Sequence, residues 1–481
     1  MRRQGEERRK LYSATFHVGY PVTRMEAASE GAVAHRLAAG CAAGMALASA
    51  GTWLRFALSG TARIDTGGWP FIAASAVAGA GIILTGVCSL RLGPRAHRLS
   101  WPALWRWALA VQACSFPAQA LTSSDVYTNL AFGTLSLTGL SPYAHSPAAL
   151  GDSPLVALVP PRWVNDPTPY GPLFIPLARA AAWAGARAGS PIWVTFYAFK
   201  GILLAALLIA LGLAARHLRA QAKSGAETFV ALGLGPVLAW EISAQGHNDG
   251  LLVLAMVAFL VLAASGRELA GGVVLAAGVA VKYALAPLLG LHLLLVARGS
   301  PARAAVLVLL SSLLLAAAFI PEWNAVTLSA VLPMVGGETA RHAHSFTDLV
   351  CLALDALGRP QASLRAYRAL SAVSAAACGV ALLAAAWRSR NLEQLARGYL
   401  VFLFALYLTA PWFQPWYLTW ALPLLLVERD PQWRRFVALF AVVSVSQWAL
   451  PLDPLTTVAA DIWAATRIWR LPRADPPAAA S

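Results

Sequence analysis

A chain of 481 residues in which 58% are hydrophobic and only 12% charged, with mean hydropathy +0.61, is too apolar for a soluble domain, where about 25% of residues are charged. The net charge of +15 does not indicate nucleic acid, because the arginines fall in short clusters between apolar runs and form no basic face with interleaved aromatics. The composition predicts an all-α polytopic membrane protein. Its basic tail, residues 1–33, carries Arg2, Arg3, Arg8, Arg9 and Lys10 and lacks a short apolar core with a small-residue cleavage site, so a retained anchor is expected.

Apolar runs follow near 34–59, 70–91, 103–121, 191–215, 226–244, 249–265, 270–297, 303–320, 367–387, 397–427, 433–450 and 454–469. The runs at 270 and 397 are too long for one span and contain Pro287, or Pro411 and Pro415. Each is read as two short or broken helices, giving about 12–14 transmembrane helices. Arg91, Arg95, Arg98 and Arg106, then Arg216, Arg219 and Lys223, fall on the tail's side, and so do Arg298 with Arg303, Arg388 with Arg390 and Arg397, and Arg429 with Arg434 and Arg435 if the two long runs are doubled. By the positive-inside rule that side, with both termini, is cytoplasmic. The outer loops are then about 122–190 and 321–366, and residues 471–481 form a disordered tail after a single membrane domain, 34–470. Residues 173–188 carry Arg179 and Arg187 and read as an interfacial helix.

Asp125 is the most informative residue. It follows a predicted helix over 103–121 and sits among Thr122, Ser123, Ser124, Tyr127 and Asn129, at the mouth of a span. It can cap the next helix, act as a general base toward an attacking hydroxyl, or do both. The loop beyond it is pinned by closely spaced prolines in Ser141-Pro142-Tyr143 and Asn165-Asp166-Pro167-Thr168-Pro169-Tyr170-Gly171-Pro172. Such a long loop between spans is more often functional than a linker.

Gln245-Gly246-His247-Asn248-Asp249 opens an apolar run, where a helix N-terminus suits a phosphate or a sugar hydroxyl. Lys282, within Val281-Lys282-Tyr283, either snorkels to the interface or holds a phosphate. Arg341 and His344 are further phosphate candidates. Among Trp412, Phe413, Gln414, Trp416, Tyr417 and Trp420, the tryptophans at 412 and 420 read as an interfacial belt, whereas Gln414 is a candidate pocket residue. No ligand spacing for a metal is evident, no cofactor is implied, and dependence on a divalent ion is left open. The five cysteines, scattered at 41, 88, 114, 351 and 378, form neither a C-x-x-C pair nor a disulfide framework.

In this order Ser124-Asp125-Val126-Tyr127, Gly139-Leu140-Ser141-Pro142-Tyr143, Thr168-Pro169-Tyr170-Gly171-Pro172, Gly246-His247-Asn248-Asp249, Lys282 and Gln414-Pro415-Trp416-Tyr417-Leu418 resemble the polyprenol-phosphate-mannose-dependent α-1,6-mannosyltransferases of the MptB type, over roughly residues 100–450. The resemblance implies a GT-C fold in a bacterial cytoplasmic membrane, with the active site extracytoplasmic. It also implies a polyprenyl-phosphate sugar donor, a glycan or glycolipid acceptor and inverting transfer of a hexose, with mannose resting on the resemblance alone. Asp125 would be the base; Lys282, Arg341 and His344 would hold the donor phosphate. Tyr127, Asn129, Tyr143, Tyr170, His247, Asn248, Asp249, Gln414, Trp416 and Tyr417 would contact substrate. The alternative is a lipid or sugar transporter or flippase, which would also place Lys and Asp at broken helices. The chain shows no paired halves of the kind transporters usually have.

Overall fold

The computed structural model describes residues 24–61, 64, 68–189, 192–322 and 345–448, with Trp463 and Thr466 beyond. Among these residues there are helices and turns and no β-strand. Five helices are long and apolar enough to cross a membrane, and three shorter apolar helices lie beside them. The chain is therefore an all-α polytopic membrane protein. The first pair, α1 (Arg24–Ser59) and α2 (Trp69–Leu92), packs so closely that a Cβ on Gly44 would stand 2.6 Å from the Gly81 carbonyl oxygen. Small residues draw helices together in this way where the surrounding solvent is lipid.

Helix α3 (Trp101–Ser115) ends six residues before the expected limit of 121, so Asp125 does not follow directly upon a helix. Pro117 is the physical reason, since it lacks an N–H and its ring clashes with the preceding turn. The released segment 116–124 runs through the protein, where side chains satisfy its backbone. Lys200 Nζ donates to the carbonyls of Phe116 and Ala118, both at 2.6 Å. Tyr197 and Trp53 donate to Pro117 O at 2.9 and 3.0 Å. The Gln245 side-chain oxygen accepts from the amides of Leu121 and Thr122 at 2.8 and 3.0 Å.

The next helices are α4 (Asp125–Leu137), α5 (Phe174–Arg187), α6 (Ile192–Leu218) and α7 (Ala222–Gly233). Helix α5 has the expected short, amphipathic form, burying Phe174, Ile175, Ala178, Ala181 and Ala182 and leaving Arg179 and Arg187 outside. The apolar run 226–244 is not one helix: Gly235-Pro236 breaks it, and Ala239–Ala244 forms a π turn. Such turns are frequent at functional sites.

Helices α8 (Asp249–Ala264), α9 (Glu268–Val281), α10 (Ala286–Gly299) and α11 (Pro301–Phe319) form successive antiparallel neighbours. The run at 270 is thus divided into two 14-residue helices with Lys282 at the break. Helices α12 (Phe346–Ala356), α13 (Pro360–Arg388), α14 (Leu392–Thr409) and α15 (Pro431–Trp448) follow among the described residues. The run at 397 gives one helix followed by 3-10 turns, Pro415–Trp420 and Leu422–Leu426, because Pro411, Pro415 and Pro423 interrupt it.

The breaks preceding α4, α8 and α10, with the turn Pro415–Trp420, meet at one end of the bundle. Basic clusters tie the other end together. There Arg95 pairs with Glu30, Arg435 with Glu227, Arg429 with Glu393, and Arg397 with Glu428, while Arg298 donates to the carbonyls of Ser389 and Ala386.

Candidate active site

Asp125 is the first residue of α4, with Ser124 at the cap position. The Ser123 hydroxyl accepts from the Asp125 backbone N–H at 3.2 Å. This contact holds the backbone of Asp125 at the helix entrance. Desolvation lifts Asp125 above the ordinary carboxylate range, opposed by the charges of Arg162 and Lys282, while Asp249 adds to the rise.

Asp249 opens α8 and is fully buried. Lys282 Nζ donates to both of its carboxylate oxygens, at 2.9 and 3.0 Å, and Trp420 Nε1 donates at 2.7 Å. These three hydrogen bonds from two side chains fix the orientation of the Asp249 carboxylate. Lys282 Nζ also lies over the rings of Tyr170 and Trp420, at 5.7 and 5.6 Å from their centroids. Trp420 is thus a buried partner of Asp249, and the belt reading for it is corrected.

The loop between α4 and α5 closes over this pair by main-chain bonds to the end of α9. Gly171 N donates to Val281 O at 2.9 Å and Leu173 N to Ala280 O at 3.0 Å. A Cβ on Gly171 would stand 2.1 Å from the Ala280 oxygen, so only glycine allows this approach. Tyr143 donates to Tyr170 O at 2.9 Å from within the core, and the buried Asn248 side chain lies near the Tyr170 hydroxyl with its Nδ2 unpartnered among the described residues.

An aromatic wall stands opposite. His247 stacks on Trp416 with ring centroids 3.9 Å apart, and its Nε2 is 3.4 Å from a Glu241 carboxylate oxygen on the π turn. Tyr417 stacks on Trp420 at 4.5 Å and accepts a hydrogen bond from Trp412. The guanidinium of Arg162 lies over Trp412 at 5.0 Å and over Trp163 at 5.4 Å.

Asp125, Tyr170, Asn248, Asp249, Lys282 and Tyr417 are thereby brought within electrostatic or hydrogen-bonding reach of one another. His247 and Trp416 stand behind them. Asn129 lies one turn after Asp125 on the same helix face, buried and with its Oδ1 unpartnered among the described residues. Gln414 is buried just before Pro415, whereas Tyr127 stacks on Phe196 at 5.9 Å within the core. Arg341 and His344 lie outside the described residues. Arg162 and Glu241 were missed by sequence reasoning. Arg162 has a signal in the Arg-Trp step of the outer loop; Glu241 has one as a lone acid inside an apolar run.

Among the described residues no three His, Cys, Asp or Glu side chains are grouped to hold a metal ion. The partly exposed Asp125, Tyr170, Lys282 and Tyr417, with exposed Arg162, present one carboxyl, two cations and flat aromatic faces to an incoming ligand. Carboxyl plus cations suit deprotonation of a hydroxyl beside an anionic group. Aromatic faces suit the apolar side of a sugar ring.

No solved structure shows a significant match to the chain. The chain is 26% identical over 378 residues to alpha-(1->6)-mannopyranosyltransferase B of Corynebacterium glutamicum, covering 70% of this chain and 61% of that protein. It is 29% identical over 227 residues to alpha-(1->6)-mannopyranosyltransferase A of Mycobacterium tuberculosis, covering 42% and 41%. These matches thus span between about two fifths and three fifths of the relatives' own length. Residues 339–466 match the model of the MptB C-terminal domain. Residues 30–298, more than half of the chain, match the model of the alpha-(1->6)-mannopyranosyltransferase N-terminal domain, and the chain belongs to that family.

Proposed function

We propose that the chain is a GT-C-type glycosyltransferase that moves mannose from a polyprenyl-phosphate donor to a hydroxyl of a glycan or glycolipid at the extracytoplasmic face. The observation that carries this reading is Asp125 at the entrance of α4, within the field of Arg162 and Lys282 and beneath the Tyr170 loop. The names of the relatives support mannose as the sugar and α-1,6 as the linkage. Sidedness draws support from the separation of site and basic clusters to opposite ends of the bundle.

In the proposed step the acceptor hydroxyl gives its proton to Asp125 as its oxygen forms a bond to the anomeric carbon. The bond from that carbon to the phosphate oxygen breaks, and the electron pair leaves with the polyprenyl phosphate. Arg162 and Lys282 stabilise the charge gathering on the phosphate, and the Trp416–Trp420 wall seats the sugar ring. A single displacement on a β-linked donor yields an α-linked product. Asp249 holds Lys282 in place, and Glu241 orients the His247 ring against Trp416. The polar groups gather at one end of the bundle rather than at its middle, so the transporter reading gains no support here.

The test is incubation of membranes with radiolabelled polyprenyl-phosphate mannose and defined mannosides. Label is expected in an α-mannosylated acceptor with the native chain and not with Asp125→Asn. Equal incorporation by both would overturn the assignment.

A further inference from the structure

A polar cavity lies at the other end of α8, which at 16 residues places it roughly 24 Å from Asp249. Its volume is about 770 Å³, and its walls include Glu268, His292, Arg298, Arg303, Arg390 and Asn391. None of these belongs to the transfer site, so the cavity is independent of the reaction proposed above.

Three features of this cavity point to one ligand chemistry. First, three guanidinium groups face one carboxylate. Glu268 is engaged with Arg303 at 3.6 Å and Arg298 caps the end of α13, while Arg390 has no side-chain ion pair among the described residues. Second, the N-termini of α9, α11 and α14 lie at this cavity, those of α11 and α14 capped by the side chains of Ser300 and Asn391. Helix N-termini and arginines together favour a phosphate.

Third, His292 is 1% exposed in the wall and is only half satisfied. Its Nε2 lies 3.0 Å from the backbone oxygen of Glu268, which can only accept, so Nε2 carries the proton. Its Nδ1 is then a buried acceptor, without a partner among the described residues. A phosphodiester has no proton to offer this nitrogen. A singly protonated phosphate monoester has both the O–H for His292 and the negative oxygens for the arginines.

We infer that the cavity lined by His292, Arg298, Arg303 and Arg390 binds a phosphate monoester group at the membrane face opposite the transfer site. The group can be the head of a lipid-linked monophosphate or inorganic phosphate. A lipid can enter because the cavity lies beside the apolar surface of α11, where Val306, Leu309, Leu310 and Leu313 are exposed.

The test uses the full-length chain in detergent with a photoactivatable long-chain alkyl monophosphate, cross-linked and mapped by mass spectrometry. Labelling is expected in the peptides around 298–303 and 390–392, unchanged by Asp125→Asn. It should be at least tenfold weaker in the double variant Arg303→Gln and Arg390→Gln. Both arginines are exposed, and an unchanged thermal transition will show that the variant folds. Competition by millimolar inorganic phosphate would identify the free ion as a ligand; competition by unlabelled alkyl monophosphate alone would identify the lipid head. Absence of label there, equal labelling of the double variant, or equal labelling by the matching phosphodiester probe would each overturn the inference.

Discussion

Lys282, at the break between α9 and α10, reaches both carboxylate oxygens of Asp249 at the first residue of α8, at 2.9 and 3.0 Å. Two residues 33 apart in sequence thus form one buried, bidentate unit, on which the Tyr170 loop and Trp420 both rest. An ion pair of this kind fixes geometry more than it adds net stability, but breaking it leaves a charge stranded.

Removing one partner, by Asp249→Asn or Lys282→Met, should therefore destabilise the chain by about 3–5 kcal/mol. The double variant should lose less than the sum of the singles, because neither charge is then stranded. Thermal unfolding in detergent checks this at one scan rate for all four proteins. Additive losses would mean that the two side chains act separately.

Asp125→Asn should lower transfer by at least about 100-fold, the usual share of a general base. Its effect on stability has the other sign. A carboxyl whose folded pKa is raised binds its proton more tightly folded than unfolded, so its stabilising contribution is complete below the unfolded pKa and is lost as pH rises through the folded one. Above that folded pKa the ionised Asp125 is a burden, so the neutral asparagine should melt at the same temperature or higher. A variant that is both inactive and much less stable at pH 7 would instead mark a structural acid.

The raised pKa also sets the acid limb of the reaction. Only the ionised carboxylate can accept the hydroxyl proton, so transfer should fall as pH drops through a value above the ordinary carboxylate range of about 4. A pH profile of kcat/KM in membranes reports that midpoint. A limb at or below 4 would show that Arg162 and Lys282 outweigh desolvation.

Gly171→Ala tests the loop. The added methyl would meet the Ala280 oxygen at 2.1 Å, so the 171–173 segment must lift from α9 and carry Tyr170 with it. A loss of about 1–3 kcal/mol is expected for such crowding, with a larger fall in transfer than in stability. Proteolysis of the loop between α4 and α5, before and after the substitution, reads the loosening directly.

What the sequence made legible follows from how local each signal is. The polar residues at helix breaks, Asp125, Asn248, Asp249 and Lys282, stood out because ionisable groups are rare in apolar runs. Lys282 at the break in the run at 270 was read from run length and Pro287, both local. The early end of α3 was not, although Pro117 was in view, because an apolar run continues past it and the partners of its backbone, Lys200 and Gln245, lie about 80 and 120 residues away. Tyr127 looked like a site residue through its neighbours in sequence, yet helix geometry turns it toward Phe196. Trp420 looked like belt because its acceptor, Asp249, is 171 residues distant.

Arg162 is the residue on which sequence and structure differ most, since an arginine in an outer loop is ordinary until its neighbours are known. Its guanidinium lies over Trp412 and Trp163 while its charge acts on Asp125, which places a flat, permanently charged donor at the rim of the site. If it receives the departing phosphate, it works chiefly in the transition state, and Arg162→Gln should lower kcat by about 100-fold with little change in KM for the donor. Lysine keeps the charge but not the fork or the stacking, so Arg162→Lys should recover only part of the rate. Steady-state transfer from polyprenyl-phosphate mannose separates the two parameters. A rise in KM at constant kcat would reassign Arg162 to holding the donor in the ground state, and Lys282 would then be left as the cation facing the leaving group.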